Sequence, residues 1–293
     1  MEDSARWDRL GLRAGDVVIS APSKSGTTWA QMICALLVFR TPDLPAPLTA
    51  LSPWLDMLIR PVDEVVARLD AQRHRRFVKT HTPLDGLPHD ERVTYVAVGR
   101  DPRDVALSLR HQGANLRRDV IRDLLDDPTA EPGRELGPAD AADERAFFRR
   151  WTDDDTSPHD DLDSLRGVLW QQSRAWSRRQ DPNVVLLHYG DLSRDLDGEM
   201  RRLADRLGID VAEPTWPELV EAATFDRMRQ RSADLVPDER LGIMKDTGRF
   251  FRRGTSGGWR DVLTDDDLAR YDARVAALAP PGLAGWLHHG RNC

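Results

Sequence analysis

The sequence predicts an α/β fold: a single domain with a mostly parallel central sheet flanked by helices. Three observations predict it. Short aliphatic, β-branched runs recur at 16–20, 77–79, 93–98 and 184–187, helical patterns alternate with them, and the length of 293 residues suits one large domain of this kind. Strands that alternate with helices build a parallel sheet covered on both faces. The chain shows no internal repeat and no second domain.

Each element has a local cause. Asp16-Val17-Val18-Ile19-Ser20, directly after Gly15, has the length and branching of a buried strand. A Pro/Ser/Gly turn follows. Trp29, Ile33, Leu36 and Leu37 then recur at helical spacing, so strand, turn and helix succeed one another directly. Phe77-Val78-Lys79 and Val93-Thr94-Tyr95-Val96-Ala97-Val98 are the next two strands. The second runs into Asp101-Pro102-Arg103-Asp104, a helix start with Asp as N-cap, Pro at the first helical position and Asp in the first turn. Residues 184–187 read as a buried strand, and 196–207 as a helix closed by Gly208.

Between 116 and 164 the character changes. Asp, Glu and Arg dominate, Pro128, Pro132, Pro138 and Pro158 interrupt, and apolar periodicity is weak. This is an insertion with short helices on its flanks. Two readings stay open, a solvated surface excursion and a lid over an acceptor site.

Composition narrows the function. The longest apolar stretch, 30–39, is broken by Gln31 and falls short of the roughly 18–20 residues a membrane span needs. The acidic start Met1-Glu2-Asp3-Ser4 lacks a signal-peptide core, so a cytoplasmic protein without a transmembrane segment is expected. Two cysteines, Cys34 and Cys293, do not make a disulfide framework. A net charge of −7 argues against nucleic acid as a partner.

The strongest local signal is Ser20-Ala21-Pro22-Ser23-Lys24-Ser25-Gly26-Thr27-Thr28-Trp29. A strand ends, a turn exposes successive amides, and a helix begins. Amides, helix dipole and the Lys24 charge make an anion site, to which Ser25, Thr27 and Thr28 add hydroxyl donors. This is P-loop logic without the kinase spelling, because Lys precedes Gly. No convincing strand-borne carboxylate for Mg²⁺ accompanies it. Arg100 emerges at the end of the 93–98 strand, and Ser108 lies two turns into the next helix, on the face of Asp101. Together they suit a second phosphate at the carboxyl edge of the sheet. Phe250-Phe251-Arg252-Arg253-Gly254-Thr255-Ser256-Gly257-Gly258-Trp259 joins two arginines to a flexible loop apt for closing over a phosphate.

These three segments together resemble the cytosolic-type sulfotransferases that use 3′-phosphoadenosine-5′-phosphosulfate (PAPS), and the resemblance covers about 16–259. It implies a P-loop-like sulfotransferase fold. It makes the Lys24–Trp29 turn the 5′-phosphosulfate loop, Arg100 and Ser108 the 3′-phosphate pair, and Arg252-Arg253-Gly254, with Phe250 before it, the C-terminal nucleotide loop. Tyr189 matches the adenine-side tyrosine, and the segment with Thr224, Phe225 and Met228 resembles the one lining the adenine opposite Trp29. Several phrases, at 20–26, 52–56, 78–87 and 99–104, resemble most the actinobacterial, mycobacterial-type glycolipid sulfotransferases. Three departures stand out. Ser23 separates Pro22 from Lys24, Gly258 replaces an Asp often found before the loop's Trp, and the Lys-Thr-Val-Glu dimer segment of animal members is not recognisable. The chain is therefore expected as a monomer or a homodimer.

The chemistry follows in the same terms. Lys79 and His81, two apart in extended chain, face the same way. Imidazole has a suitable pKa to take a proton from an attacking hydroxyl, and the resemblance puts His81 at the catalytic base. The other histidines are surface or structural, and His288-His289 lacks partners for a metal site. The resemblance implies in-line transfer to a hydroxyl of a small acceptor (glycolipid, lipid alcohol, sugar or phenol), leaving adenosine 3′,5′-bisphosphate. Lys24 and the loop amides then stabilise the leaving oxygen, Lys79 supports the sulfuryl oxygens, and no metal is required. The alternatives are a P-loop nucleotide kinase or NTPase, and a non-catalytic nucleotide-binding protein. Trp54 and Met57 either line the acceptor site or belong to the core.

Overall fold

The structure, a computed structural model, describes residues 2–125, 143–235, 241–252 and 254–291. Arg253, Cys293, three of the insertion's four prolines (Pro128, Pro132 and Pro138) and the rest of 126–142 lie outside the described residues.

Four parallel strands form the sheet in the order β2-β1-β3-β4: β1 is Val17–Ser20, β2 Phe77–Thr80, β3 Thr94–Gly99 and β4 Val184–His188. Val17 pairs with Phe77 on one side and Thr94 on the other, and Tyr95 with Val184. Each expected strand is present; β2, β3 and β4 run one residue further at their carboxyl ends than the apolar runs suggest. The chain leaves β1 toward β2 and leaves β3 toward β4, on opposite sides. The carboxyl ends of the neighbours β1 and β3 thus form a topological switch point, where open α/β sheets bind ligands.

Helices α1 Thr27–Phe39, α2 Val62–Ala71, α3 Pro102–Asn115, α4 Glu144–Asp153, α5 Leu165–Ser177, α6 Leu196–Leu207, α7 Phe225–Gln230, α8 Asp265–Leu278 and α9 Leu283–His289 surround the sheet. Strand alternation divides the core. Val17, Ile19, Val96, Val98 and Leu187 face the apolar sides of α1 and α6, whereas Val18, Val78, Tyr95 and Ala97 face Val65 and Leu69 of α2 and the indole of Trp7. A third cluster joins α3, α4, α5, α8 and α9 through Phe148, Trp151, Leu169, Tyr271 and Trp286. Each fully buried aliphatic side chain contributes about 1.5–3 kcal/mol.

The expected helix start is present in full. Asp101 caps α3 by accepting from the Arg103 amide, and Pro102 stands in the first turn. At the opposite edge of the sheet, Asp16 and Arg76 precede β1 and β2 and form a buried bidentate ion pair, with Arg76 only 1% exposed. The described parts of the insertion carry helices on both flanks, Arg118–Leu125 and α4.

Candidate active site

The site begins where β1 gives way to α1. Lys24 and Gly26 both have left-handed backbone, with φ of 66° and 105°. That alternation turns amides toward one concavity, a fixed partial positive charge. Gly26 is required twice over: its φ suits glycine, and a Cβ there would meet Tyr189 Cδ2 at 2.9 Å. Helix α1 starts with no side-chain cap, so its first amides remain open to an anion. Behind them the hydroxyls of Ser25 and Thr27 are buried without a hydrogen-bond partner among the described residues, as is Arg100 Nε. A buried donor left in this state costs about 1–3 kcal/mol. The donor set therefore fits a phosphate or sulfate group.

Cations converge on the turn. Arg100 donates to the Lys24 carbonyl at 3.0 Å and to the Thr255 carbonyl at 3.3 Å, and its guanidinium lies 4.1 Å over the Tyr189 ring. The Lys24 ammonium sits 4.5 Å from the centre of Phe250. Burial, reinforced by the charges of Arg100, Lys79 and Arg252, lowers the Lys24 pKa to about 7. The C-terminal loop is tied down from α3, where Asp104 accepts from the Gly257 amide at 2.7 Å and Asp101 from Trp259 Nε1 at 3.2 Å.

An aromatic slot adjoins the turn. Trp29 donates to the Ala223 carbonyl at 2.8 Å and meets Tyr189 edge-on, with ring centres 5.1 Å apart. Gly254 packs on Phe225, and Met228 is buried beside it. Thr224 stands behind this slot as the N-cap of α7, accepting from Arg227 and donating to the Glu221 carbonyl.

The other end belongs to β2. His81 Nδ1 lies 2.6 Å from the Ala21 carbonyl. A carbonyl only accepts, so Nδ1 carries the proton and Nε2 keeps its lone pair. Burial, with the nearby charges of Lys79 and Lys24, pushes the His81 pKa down to about 3, so the ring is neutral. Trp54 meets His81 edge-on at 5.2 Å, and the Lys79 ammonium lies 3.2 Å over the Trp54 ring.

All the expected site residues that the structure describes, except Ser25 and Thr224, line one cavity of about 1040 Å³. It also takes in residues the sequence left undecided or missed. Trp54 and Met57 line it and are not simply core. Asp163, at the end of the insertion, accepts a hydrogen bond from the Ser23 side chain, and burial beside Asp161 raises its pKa to about 6. Trp170 and Glu2 line it too. The only early hint of Asp163 was the extra Ser23, whose partner lies 140 positions away. Among the described residues no three metal-ligating side chains converge, and His288 bonds the Tyr271 hydroxyl at 2.8 Å.

Residues 14–279 match the Sulfotransferase domain family. The chain belongs to that family. A glycolipid sulfotransferase of Mycobacterium tuberculosis is 47% identical over 306 aligned positions, spanning 100% of this chain and 93% of the relative. Sulfotransferase 1A1 of Rattus norvegicus is 26% identical, spanning 89% of this chain and 83% of its own. Retinol dehydratase in a complex with retinol and PAP superposes with a TM-score of 0.70 at 25% identity, over 94% of this chain and 84% of that one. A mouse sulfotransferase complexed with PAP gives 0.68 at 18% identity, over 97% and 90%. The architecture is thus the P-loop-like sulfotransferase fold. This sulfotransferase takes PAPS as its sulfuryl donor, and the kinase and NTPase alternatives fall. Among the described residues no helix is long and apolar enough to cross a membrane.

Proposed function

We propose that this sulfotransferase moves the sulfuryl group of PAPS onto a hydroxyl of an uncharged, sugar-bearing acceptor of the glycolipid type, in the cytoplasm, with His81 as general base. The observation that carries the reading is a neutral imidazole with its Nε2 lone pair in the same cavity as a lysine-bearing anion turn. The turn's amides, Ser25, Thr27 and Thr28 hold the 5′-phosphosulfate. Arg100, Ser108 and Arg252 hold the 3′-phosphate, with Arg253, outside the described residues, assigned by resemblance alone. Trp29, Tyr189, Phe225 and Met228 enclose the adenine, and Phe250 and Gly254 shape the loop over it. Lys24 meets the charge growing on the leaving oxygen, and Lys79 the sulfuryl oxygens.

Two features support the acceptor class. One is the relative at 47% identity, a glycolipid sulfotransferase. The other is the character of the cavity beyond His81, where Glu2, Asp161 and Asp163 accompany Trp54 and Trp170. Carboxyl groups hydrogen-bond sugar hydroxyls and indoles stack on sugar rings. Burial pushes the Glu2 pKa well up, so the charge that repels anionic acceptors comes from Asp161 and Asp163. The described insertion residues in this wall favour the lid over the surface excursion.

Labelled PAPS supplied with a neutral glycolipid, a simple phenol and a carboxylated glycolipid tests the reading. Preference for the neutral glycolipid is expected. Equal or better use of the anionic one overturns the acceptor class, and no turnover on any hydroxyl would favour a non-catalytic nucleotide-binding chain.

A further inference from the structure

We propose that Asp56 is the positioning residue of the base His81, acting by clamping the two threonines that flank it. The inference rests on His81 being the base. Lys79-Thr80-His81-Thr82 closes β2, and its side chains alternate. Lys79 and His81 line the cavity, whereas Thr80 is fully buried away from it and Thr82, also buried, only borders it. Both threonine hydroxyls donate to one oxygen, Asp56 Oδ2: Thr82 at 2.8 Å and Thr80 in a shorter contact. Trp7 Nε1 adds a third donor at 3.1 Å. The Thr82 amide then donates to Thr80 Oγ1 at 2.8 Å, closing the backbone around His81.

A carboxyl at this place needs a reason. Asp56 is 0% exposed, does not line the cavity, and has no ion-pair partner among the described residues. Burying such a group costs several kcal/mol, and apolar packing often serves stability as well. What apolar packing could not do is hold two hydroxyls on one point and so set the pitch of the chain between them. Two residues earlier in the same segment, Trp54 meets His81 from the cavity side at 5.2 Å. The 54–56 segment thus holds the base from both faces of its strand, an indole in front and a carboxyl behind. Among the described residues Asp56 Oδ1 takes no hydrogen bond. All three donors use Oδ2, so the single amide oxygen of an asparagine serves the same geometry.

A double-mutant cycle on the intact enzyme tests this. Asp56→Ala should lower kcat on an aliphatic alcohol acceptor on the order of a hundredfold, the cost of a misplaced reacting group, with adenosine 3′,5′-bisphosphate affinity unchanged by calorimetry. Asp56→Asn should recover at least about a tenth of the wild-type rate, since it keeps the accepting oxygen. In a His81→Ala background, Asp56→Ala should add nothing. If it adds its full loss there, or if nucleotide affinity falls in step with kcat, Asp56 is only structural and the proposal fails. If His81→Ala leaves turnover intact, the base assignment itself is wrong, a different and separable failure. Should Asp56→Ala fail to fold, Thr82→Val carries the same cycle with one hydroxyl removed.

Discussion

Arg100 donates a hydrogen bond to the backbone carbonyl of Lys24 at 3.0 Å, across 76 positions of sequence. The contact ties the end of β3 to the left-handed residue of the turn after β1. It also brings a permanent guanidinium charge close to an amine that is already buried, and together they hold the Lys24 pKa near 7.

Nucleotide binding should therefore take up a proton. At pH 8 the Lys24 amine is mostly neutral, and a bound polyanion favours its charged form. Calorimetry with adenosine 3′,5′-bisphosphate in buffers of different ionisation enthalpy should show uptake approaching about one proton at pH 8 and little at pH 6. Lys24→Ala should abolish the uptake and cost on the order of a hundredfold in kcat. The sign for stability follows. The folded pKa of about 7 lies below the unfolded 10.5, so the unfolded chain binds more protons between them. This group thus makes the ligand-free protein more stable as pH rises from about 7 to 10.5. Identical proton uptake in the wild type and Lys24→Ala would count against it.

Arg100→Ala should weaken ligands that carry a 3′-phosphate by roughly 1.5–3 kcal/mol, the worth of a charge-assisted contact. Adenosine 5′-phosphosulfate, which lacks that group, should respond far less. A parallel titration of the two ligands decides; equal losses make Arg100 a structural anchor of the turn.

His81→Ala should retain nucleotide affinity while turnover drops roughly a hundredfold to ten-thousandfold. The drop should be larger for a sugar or alcohol acceptor than for a phenol, which is already partly acidic. In the wild type, the pKa of about 3 keeps the ring neutral, so kcat should persist on the acid side of pH 6.5. A bound donor offsets the lysine charges but leaves the burial. Folding linkage runs the same way: as pH falls from 6.5 toward 3 the unfolded chain takes the proton first and stability declines. A rate that halves near pH 6.5, with folding intact, would mean an exposed histidine is the base.

Gly254→Ala tests the loop. Its φ is 67°, and a Cβ there would lie 2.4 Å from Phe225 Cγ, so the loop must shift off the adenine slot. Nucleotide affinity should fall by about 1–3 kcal/mol, the usual cost of strained backbone. Unchanged binding would remove Gly254 from the site.

Arg76→Ala, at the far edge of the sheet, should act on folding alone. Removing one partner of a buried ion pair costs about 3–5 kcal/mol. Denaturant unfolding should show that loss, with nucleotide affinity unchanged in the protein that stays folded. Lost affinity at full folding would point to coupling between the sheet's two ends.

The sequence by itself determined the parts of this protein whose causes are local. The four strands are short branched runs, α3 starts on its own Asp-Pro cap, and the anion turn lies in ten consecutive residues, so each was legible before any contact was known. Tertiary structure alone decided the rest. The strand order β2-β1-β3-β4 turns two distant segments into one switch point. Asp163 reaches Ser23, and Asp56 reaches both Thr80 and Thr82, through packing that no periodicity announces. The shifted pKa values of Lys24 and His81 belong here too. Each is set first by burial and then by charges brought close in space, and neither quantity exists until the chain has folded.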